Sequence, residues 1–337
     1  MRVVFMGSST ASAECLRALL REEALDVVGV VSQPDRPVGR GKVLAPCPLA
    51  RYAAERGLGD RIIKPENVND DEPMAAIRKW RPDVVAVVAY GQLLKKPILD
   101  LPPLGCVNCH FSLLPKYRGA APVVAALAAG ERLTGVTVMH MGVGLDDGPI
   151  MLQSFEPIYP DTTGGELMND LATAGGVALA KALRLMSANA LPPEVPQDGS
   201  HATYAKKLKK SDGLIVWDNP VIEIERKIRA YNPWPGCHTF LPERLRRKGT
   251  DGRLVVLRAR IVRLEPGWAE AAPGTVLALD KAGPVVRCHD TALLLFEVKP
   301  EGSAAMDGAA FLRGRPLRPF EDVLGATPSS SEATFRQ

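Results

Sequence analysis

The sequence predicts an α/β protein: a doubly wound, mostly parallel sheet followed by a smaller domain of short strands. Three observations carry this. Residues 2–7 and 25–31 are apolar, strand-like runs, and between them Cys15, Leu16, Leu19 and Leu20 fall at helical spacing. Strand, helix, strand at that spacing opens a parallel sheet with covering helices. Residues 83–90, DVVAVVAY, are apolar almost without a break, as in a strand buried on both faces. Beyond residue 200, the β-like runs 254–264, 274–278, 285–288 and 293–299 alternate with Gly- and Pro-containing turns, the pattern of a small barrel.

The elements follow in order. Gly7 ends the first strand and Ser8 to Thr10 can cap the next helix. The turn lacks G-x-G-x-x-G, and no P-loop is present. Residues 33–42, QPDRPVGRGK, are longer than a short connection needs. Their cations between glycines suit adaptable phosphate contacts, and a solvated connector is the plain alternative. Residues 46–56 and 72–80 read as helices, with Leu49, Tyr52 and Ala53 facing inward. The strand at 83–90 ends at Tyr90-Gly91, and ligands gather at such carboxyl ends. Residues 106–110 predict the next strand, 120–129 a helix that Gly130 ends, 134–141 a further strand, 150–159 an extended run, and 163–186 a helix. Residues 189–200 hold three prolines with Gly and Asp, and read as a connector. Residues 221–229 predict a basic amphipathic helix, and the Ser/Thr-rich end predicts disorder.

At 337 residues two domains are expected. The boundaries are 1–188 for the first domain, 189–206 for a linker, 207–322 for the second and 323–337 for the tail. With 46 % hydrophobic and 24 % charged residues, the composition is that of an ordinary soluble protein. No apolar run is long enough to cross a bilayer. MRVVFMGSST enters a strand rather than a signal peptide, so a cytoplasmic setting with six reduced cysteines is expected. Charge is uneven. Residues 1–200 carry 20 basic against 22 acidic side chains, and residues 201–337 carry 22 against 16. A basic second half suits a phosphate-rich partner, although a solubilising surface would look the same.

The candidate site lies at 106–123. Asn108, His110 and Ser112 alternate, so an extended run puts all three on one face. Cys106 to His110 also matches C-x-x-C-H, but haem attachment would require export. No second ligand pair supports zinc, so both cysteines read as buried apolar residues and no metal is expected. His140, His201, His238 and His289 have no such surroundings and read as ordinary residues. The turn at 142–148 adds the acids Asp146 and Asp147. An amide can stabilise an oxyanion, and a carboxylate can hold an imidazolium in place. No G-x-S-x-G nucleophile is present. An oxyanion donor and a proton carrier without a nucleophile suggest direct acyl transfer between two bound substrates.

NCHFSLLPKYRGAAPV at 108–123, with GVTVMHMGVGLDDGPI at 135–150, resembles the N-x-H…S-L-L-P…G-x-D core of the 10-formyltetrahydrofolate-dependent formyltransferases. VVSQPDRPVGRGK (30–42), VVAYGQLL (87–94), GELMNDLA (165–172) and IRAYNPWPG (228–236) extend the resemblance over nearly the whole chain. It implies a Rossmann-like domain followed by an OB-like barrel that binds tRNA. It also implies a formyl group carried from 10-formyltetrahydrofolate to the α-amino group of initiator methionyl-tRNA, and a monomer is expected because the basic surface and the site suffice for one tRNA. Carried over, Asn108, His110 and Asp146 match the catalytic trio, with G-L-D-x-G favouring Asp146 over Asp147. Ser112, Leu113, Leu114 and Pro115 match the folate-contacting segment, and Tyr90-Gly91 would lie close to it. Arg36, Arg40 and Lys42 match a basic loop that approaches the tRNA acceptor stem. Phe111 stands where a small residue is common and would narrow the pocket. Gly142 and Asp147 also depart from the pattern, and Ala11 replaces an aromatic. Two other readings remain. One is a superfamily member acting on a sugar nucleotide, a purine precursor or formylfolate, against which the basic loop and IRAYNPWPG argue. The other is a non-catalytic OB-type RNA-binding protein, disfavoured by the complete trio.

Overall fold

The structure is a computed structural model that describes residues 1–38 and 43–325. The chain divides into two compact units. One comprises Met1–Ala126, Arg132–Tyr159 and Glu166–Lys207, and the other Leu127–Glu131, Pro160–Gly165 and the chain from Leu208. No helix among the described residues is long and apolar enough to cross a membrane.

The first unit is built on β1 (Arg2–Gly7), β2 (Asp26–Val31), β3 (Ile62–Ile63), β4 (Val84–Val88), β5 (Cys106–His110), β6 (Leu133–His140) and β7 (Ile150–Pro157). Their spatial order is β7-β6-β5-β4-β1-β2-β3. The pairs from β5 through β3 are parallel, and β6 and β7 add antiparallel to the other edge. This is the mostly parallel, doubly wound sheet that the alternation predicts. The apolar runs of β1 and β4 are buried on both faces, because helices cover both sides of a sheet of this kind. Val4, Met6, Val85 and Val87 share one core with Ile77 of α2 (Asp71–Lys79). At Gly29 in β2 the Trp80 ring occupies the place of a side chain, 2.2 Å from where a Cβ would stand.

α1 (Thr10–Leu19) starts as the serines predict. Ser9 is the N-cap, and its side chain and that of Ser12 satisfy each other's backbone N–H groups. Ser12 Oγ also donates to Val88 O at 2.6 Å, tying α1 to the end of β4. α3 (Pro122–Ala129) follows the candidate site, and Gly130 takes φ +76° just past its end. The long α4 (Gly164–Ser187) crosses behind β5. Gly176 comes close to Cys15 and Ala18 of α1, and at Gly175 an added Cβ would stand 2.9 Å from Cys109 Sγ.

Within the stretch 33–42, read as a loop, Arg36–Val38 pairs antiparallel with Val43–Ala45 in a ribbon, and residues 39–42 lie outside the described residues. The stretch 189–206, expected as a linker, is hydrogen-bonded into the first unit. Val195 exchanges two backbone bonds with Ile150, and Tyr204–Ala205 pairs with Arg118–Gly119.

The second unit holds α5 (Val221–Ala230) and an antiparallel sheet. Its strands are β8 (Cys237–Phe240), β9 (Arg253–Val262), β10 (Val276–Asp280), β11 (Gly283–Arg287), β12 (Ala292–Pro300) and β13 (Met306–Asp307). The order is β8-β9-β12-β11-β10, with β13 on the edge of β12. Ile224 and Ile228 of α5 pack with Val256, Leu293, Leu295 and Val298, so the amphipathic helix covers the sheet with its apolar stripe. β8 and the helix α6 (Gly308–Gly314) were not foreseen. Val323 to Gly325, expected in the disordered tail, are integrated: Leu324 is buried, and its N–H donates to Gly274 O at 2.8 Å. The rest of the expected tail, 326–337, lies outside the described residues.

Candidate active site

β5 lies between β4 and β6, with Asn108 opposite Val87 and Met139, and His110 opposite Thr137. Period-two alternation puts Asn108 and His110 on one face of its carboxyl end, and Cys109 and Phe111 on the other. Cys109 Sγ meets Gly175 O at 3.6 Å. The Phe111 ring also rests against Gly175, whose absent side chain leaves it room. Phe111 therefore fills the core behind the strand and does not narrow the cleft, which corrects the expectation. Cys106 is buried, and burial pushes its thiol up to about 12, so it is an inert apolar filler.

Asp146 comes to the same place from the turn after β6, in a left-handed backbone conformation of φ +49°. Its Oδ2 accepts the Gly119 N–H at 2.8 Å and stands 3.6 Å from His110 Nδ1. Its Oδ1 is 3.5 Å from Asn108 Nδ2. The other imidazole nitrogen, Nε2, is 2.9 Å from Tyr117 O. A carbonyl only accepts, so Nε2 carries a hydrogen. Each ring nitrogen thus faces an oxygen that can accept. His110 is buried, and Asp146 is largely so, which strengthens the charge interaction relative to one in water. Asp147 takes no part. Its carboxylate folds over Gly144, 1.9 Å from where a Cβ there would stand.

The S-L-L-P segment forms the neighbouring turn, pinned from β6 and β7. Thr137 Oγ1 donates to Ser112 O at 2.7 Å and accepts the Leu114 N–H at 3.1 Å. Gln153 Nε2 donates to Leu114 O at 3.0 Å. Ser112 is fully buried, and its hydroxyl donates to Lys116 O at 2.6 Å, so this hydroxyl builds the turn. Leu113 and Pro115 keep exposed surface while Leu114 is buried. Tyr90 also points into the core, where burial raises its phenol. Its carbonyl accepts from Ser8 Oγ and Gln33 Nε2, both at 3.1 Å, joining the ends of β1, β2 and β4. Gly91, at φ +86°, is the exposed member of that turn.

Residues 117–119 and the 195–205 segment complete the site, and the sequence reading missed the segment. Tyr117 N–H donates to Thr203 Oγ1 at 2.8 Å, Arg118 N–H to Thr203 O at 2.8 Å, and Ala120 N–H to Ala205 O at 2.9 Å. Arg118 is buried, and its guanidinium donates to Gln197 Oε1 at 3.1 and 2.8 Å. Gln197 Nε2 in turn donates to Asp146 O at 2.9 Å and Gly148 O at 2.8 Å. His140 anchors the same segment, with Nδ1 2.5 Å from Glu194 Oε1, the structural role expected of an ordinary histidine. Prolines and isolated polar residues carry no periodicity, so only the spacing of Arg118 and Gln197 across the fold reveals the contact.

On the ribbon, Arg36 is exposed and pairs with Glu66 at 3.1 Å. Arg40 and Lys42 lie outside the described residues. Among the described residues, no group of three His, Cys, Asp or Glu side chains could hold a metal.

Known proteins resemble the chain along nearly its whole length. A family model described as formyl transferase matches residues 1–183, and one described as formyl transferase, C-terminal domain, matches 207–316. A methionyl-tRNA formyltransferase of Symbiobacterium thermophilum is 43 % identical over 316 residues, 93 % of this chain and 92 % of that protein. Another, from Pseudomonas fluorescens, is 40 % identical over 328 residues, 97 % and 98 % of the two chains. Among solved structures, the sugar 3N-formyl transferase WlaRD is similar with a TM-score of 0.60 at 15 % identity, covering 90 % of this chain and 99 % of its own. HypX from Aquifex aeolicus in complex with tetrahydrofolic acid gives 0.60 at 16 %, covering 93 % of this chain and 47 % of its own. Those two likenesses bear on the fold alone. With matches to both domain models and relatives near 40 % identity over their full length, the chain belongs to the formyl transferase family, in its methionyl-tRNA formyltransferase branch.

Proposed function

We propose that this protein transfers the formyl group of 10-formyltetrahydrofolate to the α-amino group of initiator methionyl-tRNA, with Asn108, His110 and Asp146 as the catalytic residues. The observation that carries the reading is the meeting of these three side chains at the carboxyl end of β5, with Asn108 and His110 both within 3.6 Å of the Asp146 carboxylate, in a chain of this family. The unprotonated amine attacks the formyl carbon and gives a tetrahedral intermediate. Asn108 Nδ2 and His110 Nδ1 are the donors near its oxyanion, and His110 passes a proton to the departing N10. Asp146 orients His110, balances its charge and holds a water that takes the proton lost by the attacking amine, so one proton leaves the amine as one reaches N10. Separations of 3.5 and 3.6 Å are long for hydrogen bonds, as is common before substrates close a site.

The folate is a substrate here, and the residues fit it. Leu113, Pro115 and Gly91 offer apolar surface and exposed backbone beside the trio, while Ser112, Leu114 and Tyr90 support that surface from beneath. The 207–322 domain, in the basic half of the chain, and the cations Arg36, Arg40 and Lys42 would hold the tRNA phosphates. One such site and one basic domain suffice for one tRNA, so the enzyme is read as a cytoplasmic monomer.

The test supplies 10-formyltetrahydrofolate with charged initiator tRNA, uncharged tRNA or amino sugar nucleotides. Transfer to charged tRNA alone is expected, and formylation of a sugar nucleotide instead would overturn the reading. Arg40→Ala should raise KM for the tRNA and leave KM for the folate unchanged. It should also lower the slope of log KM against log salt by about one. An unchanged slope would remove the ribbon from the tRNA site.

A further inference from the structure

We infer that Gln197 is a positioning residue: its side-chain amide locks the Asp146–Gly148 turn to Arg118 and so sets where the Asp146 carboxylate stands. The inference rests on the proposed role of Asp146. The orientation of the amide is forced by chemistry. A guanidinium can only donate, so it must meet Oε1, and carbonyls can only accept, so they must meet Nε2. All four hydrogen-bonding positions of the Gln197 amide are therefore used, two toward Arg118 and two toward Asp146 O and Gly148 O. The turn needs such a hold, because Asp146 carries a left-handed backbone at φ +49°, which persists only where the surroundings over-determine it.

Three consecutive residues complete the arrangement. Tyr117 O meets His110 Nε2, the Arg118 side chain meets Gln197, and Gly119 N–H meets Asp146 Oδ2. The 195–205 segment grips this tripeptide again through Thr203 and Ala205. A segment outside the S-L-L-P and G-L-D-x-G motifs thus references both partners of the His110–Asp146 pair to one backbone.

Two substitutions separate positioning from plain structure. Gln197→Leu removes the amide. Gln197→Glu keeps the shape and the pairing with Arg118, which supports folding, but cannot donate to the two carbonyls. Both are expected to lower kcat about 10- to 100-fold with KM for either substrate nearly unchanged, since a displacement of about 1 Å can have that effect. Combined with Asp146→Asn, either should lower kcat by less than about threefold more, because coupled sites are not additive. A Gln197→Glu enzyme with wild-type kcat, or an equal loss in both backgrounds, would overturn the inference. Should the wild-type enzyme transfer no formyl group to tRNA, the proposed activity fails separately. Crystal structures of wild type and Gln197→Glu then decide, with the His110 Nδ1 to Asp146 Oδ2 separation expected to widen by about 1 Å, and an unchanged separation counting against it.

Discussion

Replacing His110 by Ala is expected to lower kcat for formyl transfer about 100- to 1000-fold, the usual effect of losing one oxyanion donor. In the proposed mechanism His110 both faces the oxyanion and carries a proton to the leaving nitrogen, and the substitution removes both roles. It also removes the hydrogen bond between His110 Nε2 and Tyr117 O, at about 1 kcal/mol of stability. That leaves a folded enzyme, which the melting transition checks. Asp146→Asn is the sharper partner experiment. An Asn oxygen can still accept the Gly119 N–H, so the turn stays anchored while the charge beside His110 disappears. A drop of about 100-fold or more in kcat is expected there too, with little change in either KM. Near-wild-type turnover in both variants would show that the trio does not perform the chemistry.

The second large effect is expected at Gly119. Its φ of +111° is a conformation that side chains rarely adopt, and an added Cβ would stand 2.7 Å from Ala205 O. That atom is backbone and cannot swing aside. Gly119→Ala therefore combines backbone strain with overpacking and should destabilise the first unit by about 2–4 kcal/mol. For a unit of this size the melting temperature should fall on the order of 10 °C. Because Gly119 N–H also holds Asp146 Oδ2, kcat measured well below the new transition should fall as well. A thermal transition within about 2 °C of wild type would mean that the 204–205 pairing yields readily and does not brace the site.

Much of the site can be read from local pattern. The unbroken apolar run of β4 reads as buried on both faces, and Ser8 to Thr10 offer a cap to α1. Alternation places Asn108 and His110 together wherever β5 is extended. Most of what the pattern does not reveal has one cause. Val195, Gln197, Thr203 and Ala205 sit in a Pro-rich stretch with no periodicity, and their partners are distant in sequence. Arg118 and Gln197 are 79 positions apart, a separation over which propensity and hydrophobic period say nothing. β8 escaped for a different reason: four residues starting Cys-His-Thr are too short to show a period.

The sequence by itself determined the alternation of the main strands and helices in the first unit, the face that carries Asn108 and His110, and the family to which their spacing belongs. These follow from side-chain periodicity and motif spacing, which act over a few residues. Only the tertiary structure sent Phe111 into the core against Gly175 and made a stretch read as a linker into the brace of the site. Each of those outcomes depends on hydrogen bonds and close packing between remote segments. Their geometry exists only once the sheet has brought the segments together.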